Sequence, residues 1–274
     1  MGGDANNGAP LFEAFGPGAA ATARRQDIER KRARIGGMVR LRVRRMEVGD
    51  APAVAAAEER AFADAEDMAT FYEGDYRRHV ARYPEGQLVA VDEETGAIVG
   101  AAVALRLPAE VALRRHHWWD ATGGTGFSAH ERDGDVLYGA AAFVDPAWQA
   151  RGVGRALYAA RAELLASTDC LALATGGRMP GYGAHAREGM AAAAYVRRVE
   201  EGALSDPVLS FQLAQGMLAL DVLPRYLTDA QSAHHACLVA LPNPTRPGAR
   251  RRVLEHRALP GAPPVRAAKE RASA

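Results

Sequence analysis

Residues 136–155 read as an apolar strand that runs through a tight turn straight into a helix. Val136 to Val144 is apolar, Asp145-Pro146 ends it, and Gln149-Ala150-Arg151-Gly152-Val153-Gly154 opens a helical stretch to about Ser167. Glycine permits backbone conformations and close approaches that other residues forbid. A helix N-terminus offers unpaired N–H groups and a partial positive charge. Together these make a cradle for a pyrophosphate, with Arg151 and Arg155 adding full charges nearby. A nucleotide P-loop needs Gly-Lys-Ser/Thr, and this segment has no Lys. A dinucleotide fingerprint needs a third glycine, which is missing.

The rest of the chain arranges itself around that corner. Val39, Leu41 and Val43 alternate with arginines, as in a half-buried strand. Asp50 is placed to cap a helix that has Pro52 in its first turn and runs to about Phe62. A second helix is expected from about Met68 to Arg82. Gln87 to Val91 and Ala97 to Leu107 read as a hairpin turning at Glu94-Thr95-Gly96. Residues 108–134 form a long connection, of the kind that is usually functional or mobile. Strands follow at Cys170–Thr175, Leu218–Val222 and Ala236–Leu241, with helices at Met190–Glu201 and Pro207–Gln215. Residues 176–189 are expected to be a glycine-rich loop. The order β-α-α-β-β-β-α-β-α-α-β-β gives an α/β fold with a mixed, mostly antiparallel sheet flanked by helices.

Residues 1–37 show no apolar face and are expected to be a flexible leader. Residues 38–244 hold the domain. Residues 245–274, with eight Arg or Lys between Arg246 and Arg271 against Glu255 and Glu270, are expected to be a disordered basic tail. The formal net charge is +1, so no global field selects a nucleic acid or a membrane. No stretch approaches the roughly 18 apolar residues of a membrane span. Cys170 and Cys237 lack metal-ligand spacing. A cytoplasmic setting without a metal is the expectation.

The pattern Gln-x-x-Gly-x-Gly after a strand ending Val-Asp-Pro resembles the central motif of the GNAT acyltransferases. The resemblance extends to a subgroup. Tyr83-Pro84-Glu85-Gly86-Gln87, Gly177-Arg178-Met179-Pro180-Gly181-Tyr182 and Val222-Leu223-Pro224-Arg225-Tyr226-Leu227 look like the GNAT domain often fused to a carbon–nitrogen hydrolase. The expectation is the GNAT domain without that hydrolase, so no amidase activity is implied. The resemblance implies an acyl-CoA co-substrate, acetyl-CoA or another. Ala142, Phe143 and Val144 would hold its pantetheine arm. Gln149, Ala150, Arg151, Gly152, Val153, Gly154 and Arg155 would hold the pyrophosphate, and Phe211 would touch the arm. An acyl group would pass to an amine on a small molecule or a protein, and a homodimer is left open.

The resemblance also shows two departures. Many such enzymes carry a Glu on the strand before the motif, and that place falls at Tyr138. Their usual Tyr acid falls at Gln212. If strand alternation is unbroken, Tyr138, Ala140, Ala142 and Val144 share a face. Tyr138 is a candidate proton relay. His130 has a reference pKa suited to base work, and Tyr182 offers a hydroxyl. On the acceptor side, Arg178 is placed to clamp a carboxylate, with His185 beside it. The rival reading is a module that binds acyl-CoA without turning it over. The cradle itself is testable. Replacing Gly152 by Glu puts a like charge against the pyrophosphate, so it should weaken acetyl-CoA binding in calorimetry. Unchanged affinity would mean that the site is elsewhere.

Overall fold

The computed structural model describes residues 40–65 and 70–259. Its framework is a seven-stranded sheet in the order β1-β2-β3-β4-β5-β7-β6. The strands are β1 (Leu41–Arg45), β2 (Gln87–Asp92), β3 (Ile98–Leu107), β4 (Val136–Val144), β5 (Ala172–Arg178), β6 (Leu218–Leu223) and β7 (Ala236–Pro242). All neighbours pair antiparallel except β4 and β5, which are parallel. The mixed, mostly antiparallel α/β sheet expected from the sequence is therefore the one observed.

Helices cover both faces. α1 (Ala51–Ala61) and α2 (Glu73–Arg82) lie on one side. There Val54 and Ala57 pack in one core with Val89, Val91, Ala101 and Val103. On the other side are α5 (Val153–Ala166), α7 (Ala192–Glu200) and α8 (Leu209–Ala214). Val153 and Leu157 of α5 pack on Leu88, Ala90 and Ala102. Leu137, Leu165, Leu173 and Leu209 join a further cluster on that side. Alternate residues of β2 thus enter cores on opposite faces, which explains why the whole strand is buried and is apolar from Leu88 to Val91.

Several boundaries differ from the sequence reading, each for a local reason. Asp50 does not cap α1 with its side chain. Its carboxylate is taken by Arg44, at 2.6 and 2.8 Å, and by the Glu47 N–H. The second helix starts only at Glu73, because Phe71 N–H is drawn to the Glu58 carboxylate and Tyr72 is extended; Met68 lies outside the described residues. The 108–134 connection is ordered. It contains α3 (Ala109–Ala112) and α4 (Trp118–Thr122). From α2, His79 Nε2–H donates to Thr125 O at 2.6 Å and Arg82 donates to Phe127 O at 2.9 Å, pinning it down. The supposed glycine-rich loop starts late, since Gly176, Gly177 and Arg178 continue β5 against β7, and α6 (Tyr182–Arg187) follows.

The basic tail needs the largest correction. α9 (Ala249–Leu254) lies within it, and Ala249, Val253 and Leu259 are buried. Arg257 pairs with Glu200 of α7 at 3.0 Å. The N–H groups of Ala258 and Leu259 both donate to Leu220 O on the edge strand β6, at 2.8 and 3.1 Å. The chain therefore covers part of a sheet edge that would otherwise be free. The few apolar residues among the arginines were enough to dock it. Residues 260–274, like the expected leader, lie outside the described residues. Ending the chain after Pro244 should lower the unfolding free energy by about 3 kcal/mol or more, the scale of uncovering two aliphatic side chains. Urea denaturation checks this. An unchanged midpoint would mean that α9 contributes nothing.

Candidate active site

The site begins where two strands part. β4 and β5 pair only through Val136, Leu137 and Tyr138, opposite Ala172, Leu173 and Ala174. Beyond them β5 stays with β7 and β4 stays with β3, and a gap opens between. A bulge in β4 marks the parting. Val103 faces Ala141 and Ala104 faces Gly139, so Ala140 is the extra residue. The bulge breaks the alternation expected from the sequence. Tyr138, Ala141 and Phe143 share the α1-side core, while Val144 packs on the α5 side. The Phe143 ring accordingly meets Phe62 of α1, with centroids 6.3 Å apart. Side chains hold the gap open: Thr175 Oγ1 donates to Gly139 O at 2.7 Å, and Trp118 Nε1 donates to Ala140 O at 3.0 Å.

A cleft of about 970 Å³ runs from this gap to the start of α5. Of the residues expected to hold the cofactor, Ala142, Phe143, Val144, Gln149, Ala150, Gly152, Val153, Gly154, Arg155 and Phe211 all line it. Arg151 does not; its guanidinium stacks on Trp148 at 5.0 Å. Gly152 has φ +87° and caps α5, with open space where a Cβ would stand. Backbone conformation, rather than crowding, is what demands glycine there. The turn is braced by Asp145, which accepts from Ala147 N–H and from Arg60 Nε of α1, at 2.9 and 2.8 Å.

At its inner end the cleft meets a second, smaller pocket of about 170 Å³. The two share Ala142, Tyr158 and Val208. Tyr158 stands on α5, with its hydroxyl accepting from Gln212 Nε2 at 3.0 Å and its ring edge-on to Phe211. Gln212 Oε1 is buried without a partner. Arg161, one turn further along α5, also lines the inner pocket. On the opposite side of the gap stand Glu58 and Phe62 of α1, then Phe71, Trp119 and Tyr226.

Glu58 is 2 % exposed. Tyr76 Oη–H and Phe71 N–H both donate to its Oε2 at 2.8 Å. Burial outweighs those two bonds and pushes its pKa up to about 7. A carboxyl poised there can take or give a proton near neutrality. The sequence reading missed it, because a Glu inside Ala-Ala-Glu-Glu-Arg looks like any helix-surface residue. Its position on the sheet-facing side of α1 was the available signal.

The expected chemical residues are placed differently. Tyr138 is fully buried and lines neither pocket. It reaches the inner pocket only through Tyr226, whose hydroxyl is 2.6 Å away. Tyr138 also lies 2.7 Å from His116 Nε2. His116 Nδ1 faces Arg114 O at 2.7 Å, so that nitrogen carries the proton. Tyr138 then donates to His116, and Tyr226 donates to Tyr138. His130 is not at the pocket. Its Nδ1 accepts from Arg106 N–H at 3.0 Å and its ring stacks on Tyr83. Burial and nearby arginines hold its pKa below the usual value. Tyr182 packs on Tyr195 and His235 and donates to Met190 O. His185 lies beside Glu188 and Tyr195. Arg178 does line the inner pocket, but its guanidinium is already committed to Asp229 at 2.7 and 2.8 Å and to Gln231. It is not a free clamp. Among the described residues no group of His, Cys, Asp or Glu is arranged to hold a metal, and no helix is long and apolar enough to cross a membrane.

Known proteins share this architecture. The profile of the Acetyltransferase (GNAT) family matches residues 51–186. An uncharacterized N-acetyltransferase of Bacillus subtilis (strain 168), YkwB, is 34% identical over 165 residues, spanning 60% of this chain and 72% of that protein. A probable hydrolase of the same organism, YhcX, is 36% identical over 151 residues, but the match covers 55% of this chain and only 29% of that protein. The loading GNATL domain of CurA from Lyngbya majuscula has a TM-score of 0.65 at 21% identity, covering 76% of this chain and 100% of that one. The GNAT-like decarboxylase GphF, solved with isobutyryl-CoA, has a TM-score of 0.61 at 23% identity, covering 74% of this chain and 99% of that one. These two structures speak for the fold alone. The relationship to YkwB and the family profile agree, and the chain belongs to the GNAT acetyltransferase family.

Proposed function

We propose that this enzyme moves an acyl group from acyl-CoA to an amine by direct attack, with Glu58 as the general base. One observation carries the reading. The cleft lined by the cofactor motif opens, at Ala142, Tyr158 and Val208, into a pocket that holds a buried carboxyl with a pKa of about 7. In this reading the pyrophosphate sits on residues 149–155, and the pantetheine arm follows the edge of β4 from Val144 to Ala142. Phe211 flanks the arm.

The amine enters from the α1 side. Near a reference pKa of about 10.4 it is almost wholly protonated at neutral pH. Glu58 takes that proton first and passes it to solvent, the neutral nitrogen attacks the thioester carbon, and Glu58 takes the second nitrogen proton as the amide forms. The new C–N bond forms, the C–S bond breaks, and the sulfur leaves as thiolate. Tyr158 already accepts from Gln212, so its own proton is free to be given to that thiolate. Gln212 then serves by orienting Tyr158, in the place where the family's usual tyrosine is absent. Tyr226, Tyr138 and His116 form a second row of hydroxyl and ring groups leading away from the pocket.

Trp119, half exposed, marks the solvent side of the inner pocket, where an amine on a small molecule or a protein would enter. Steady-state turnover of acetyl-CoA with a panel of amines tests the scheme. Glu58 is protonated below about 7 and is a competent base only above it, so kcat/KM should rise with pH through that value. Glu58→Gln should remove that limb and cost roughly 10²–10⁴-fold. A small loss, with a rise that follows the amine's own titration, would leave positioning as the source of catalysis. Binding of acetyl-CoA without turnover of any amine would favour a binding module instead.

A further inference from the structure

Arg161 has no evident structural duty. It belongs to the sheet-facing row Val153, Leu157, Arg161 and Leu165 of α5, where its neighbours are aliphatic. It is 3 % exposed, yet among the described residues no carboxylate pairs with it. Nε and Nη2 are buried without a hydrogen-bond partner. Its close support is the Tyr158 side chain, whose ring lies 5.1 Å from the guanidinium carbon and whose hydroxyl is the neutral group that meets its charge. A guanidinium keeps its charge under these conditions, and burying it uncompensated is costly. The sequence even makes room for it. A Cβ at position 139 would lie 1.7 Å from Arg161 Nη2, so Gly139 is what lets the guanidinium reach the parting of β4 and β5.

The position of Arg161 selects which ligand could answer that charge. It lines the inner pocket on the same face of the sheet as Tyr158 and Gln212, next to the cofactor cleft. Glu58, where the amine is deprotonated, is on the other face. The group lying between the cleft and Arg161 is therefore the acyl chain of the donor, not the acceptor.

We propose that Arg161 receives a carboxylate at the far end of the acyl group, so that the preferred donor is a short ω-carboxyacyl-CoA rather than an unsubstituted acyl-CoA. This rests on the cofactor reading above. A terminal carboxylate in the inner pocket offers this guanidinium the opposite charge that the protein itself does not supply. The small inner pocket limits the chain to a few carbons. The reaction itself is unchanged: the thioester carbon is still attacked, and the terminal carboxylate only anchors the chain.

Calorimetry without any acceptor tests this, using CoA, acetyl-CoA, butyryl-CoA, malonyl-CoA and succinyl-CoA. The parent protein should bind malonyl- or succinyl-CoA about tenfold or more tightly than acetyl- or butyryl-CoA, the scale of charge-assisted hydrogen bonds. Arg161→Gln should erase that preference while affinity for CoA itself persists, and Arg161→Lys should retain part of it. Equal binding of charged and neutral donors by the parent overturns the proposal, as does a preference that survives in folded Arg161→Gln. If neither variant melts cooperatively, Arg161→Met, which fills the same space among Val153, Leu157 and Leu165 without a charge, replaces them: a preference lost there supports the proposal, and a preference kept there overturns it. Failure of CoA itself to bind the parent would instead sink the cofactor reading.

Discussion

The structure turns on a parallel pairing that stops too soon. β4 and β5 share three register positions and then separate, while each keeps its outer neighbour. A strand edge without a partner in the middle of a sheet leaves backbone groups unsatisfied, which is unfavourable unless something else bonds them. Thr175 and Trp118 take two of the β4 carbonyls. The remaining edge, from Ala142 to Val144, lines the cleft. The bulge at Ala140 makes the parting possible, because it redirects β4 without breaking its ladder to β3.

The surrounding elements keep that gap usable. α5 starts at the end of β4, so its N-terminus and the cleft share one corner. α1 lies across the opposite face, and Arg60 ties it to the Asp145 turn. α1 thus carries Glu58 to the other mouth of the same gap. The two faces acquire different chemistry: a side with the N-terminus of α5 and Arg155, and an aromatic side with one buried carboxyl. The pKa of that carboxyl follows from its setting. Two hydrogen bonds favour its charged form, and burial disfavours it more.

Side chains that sequence alone would make catalytic are held in structural roles by geometry. Arg178 has the chemistry of a carboxylate clamp, but Asp229 and Gln231 occupy its fork. His130 has the intrinsic pKa of a base, but Nδ1 is spent on a strand N–H. Tyr138 is kept from the inner pocket by the Tyr226 hydroxyl. Arg161 shows the opposite case. It sits in an aliphatic row of a helix, and only its tertiary position reveals an unanswered charge.

The sequence by itself determined the succession of the seven strands, the mixed sheet and the strand–turn–helix corner that ends at residues 149–155. Those follow from hydrophobic period, turn chemistry and one local motif, and each of them is written within a short stretch of chain. Residues 149–155 needed only their own glycines and the helix after them. The tertiary structure decided everything that depends on residues distant in sequence. Glu58 becomes a titrating group because Phe71 and Tyr76 close over it. The basic tail becomes part of the fold because β6 has an edge to cover and α7 has a Glu200 to offer. The face of β4 that meets α1 is set by a one-residue bulge, which no alternation rule foresees. Local propensity acts along the chain, whereas burial and pairing act across it, and a proton-transfer site is made by the second kind of contact.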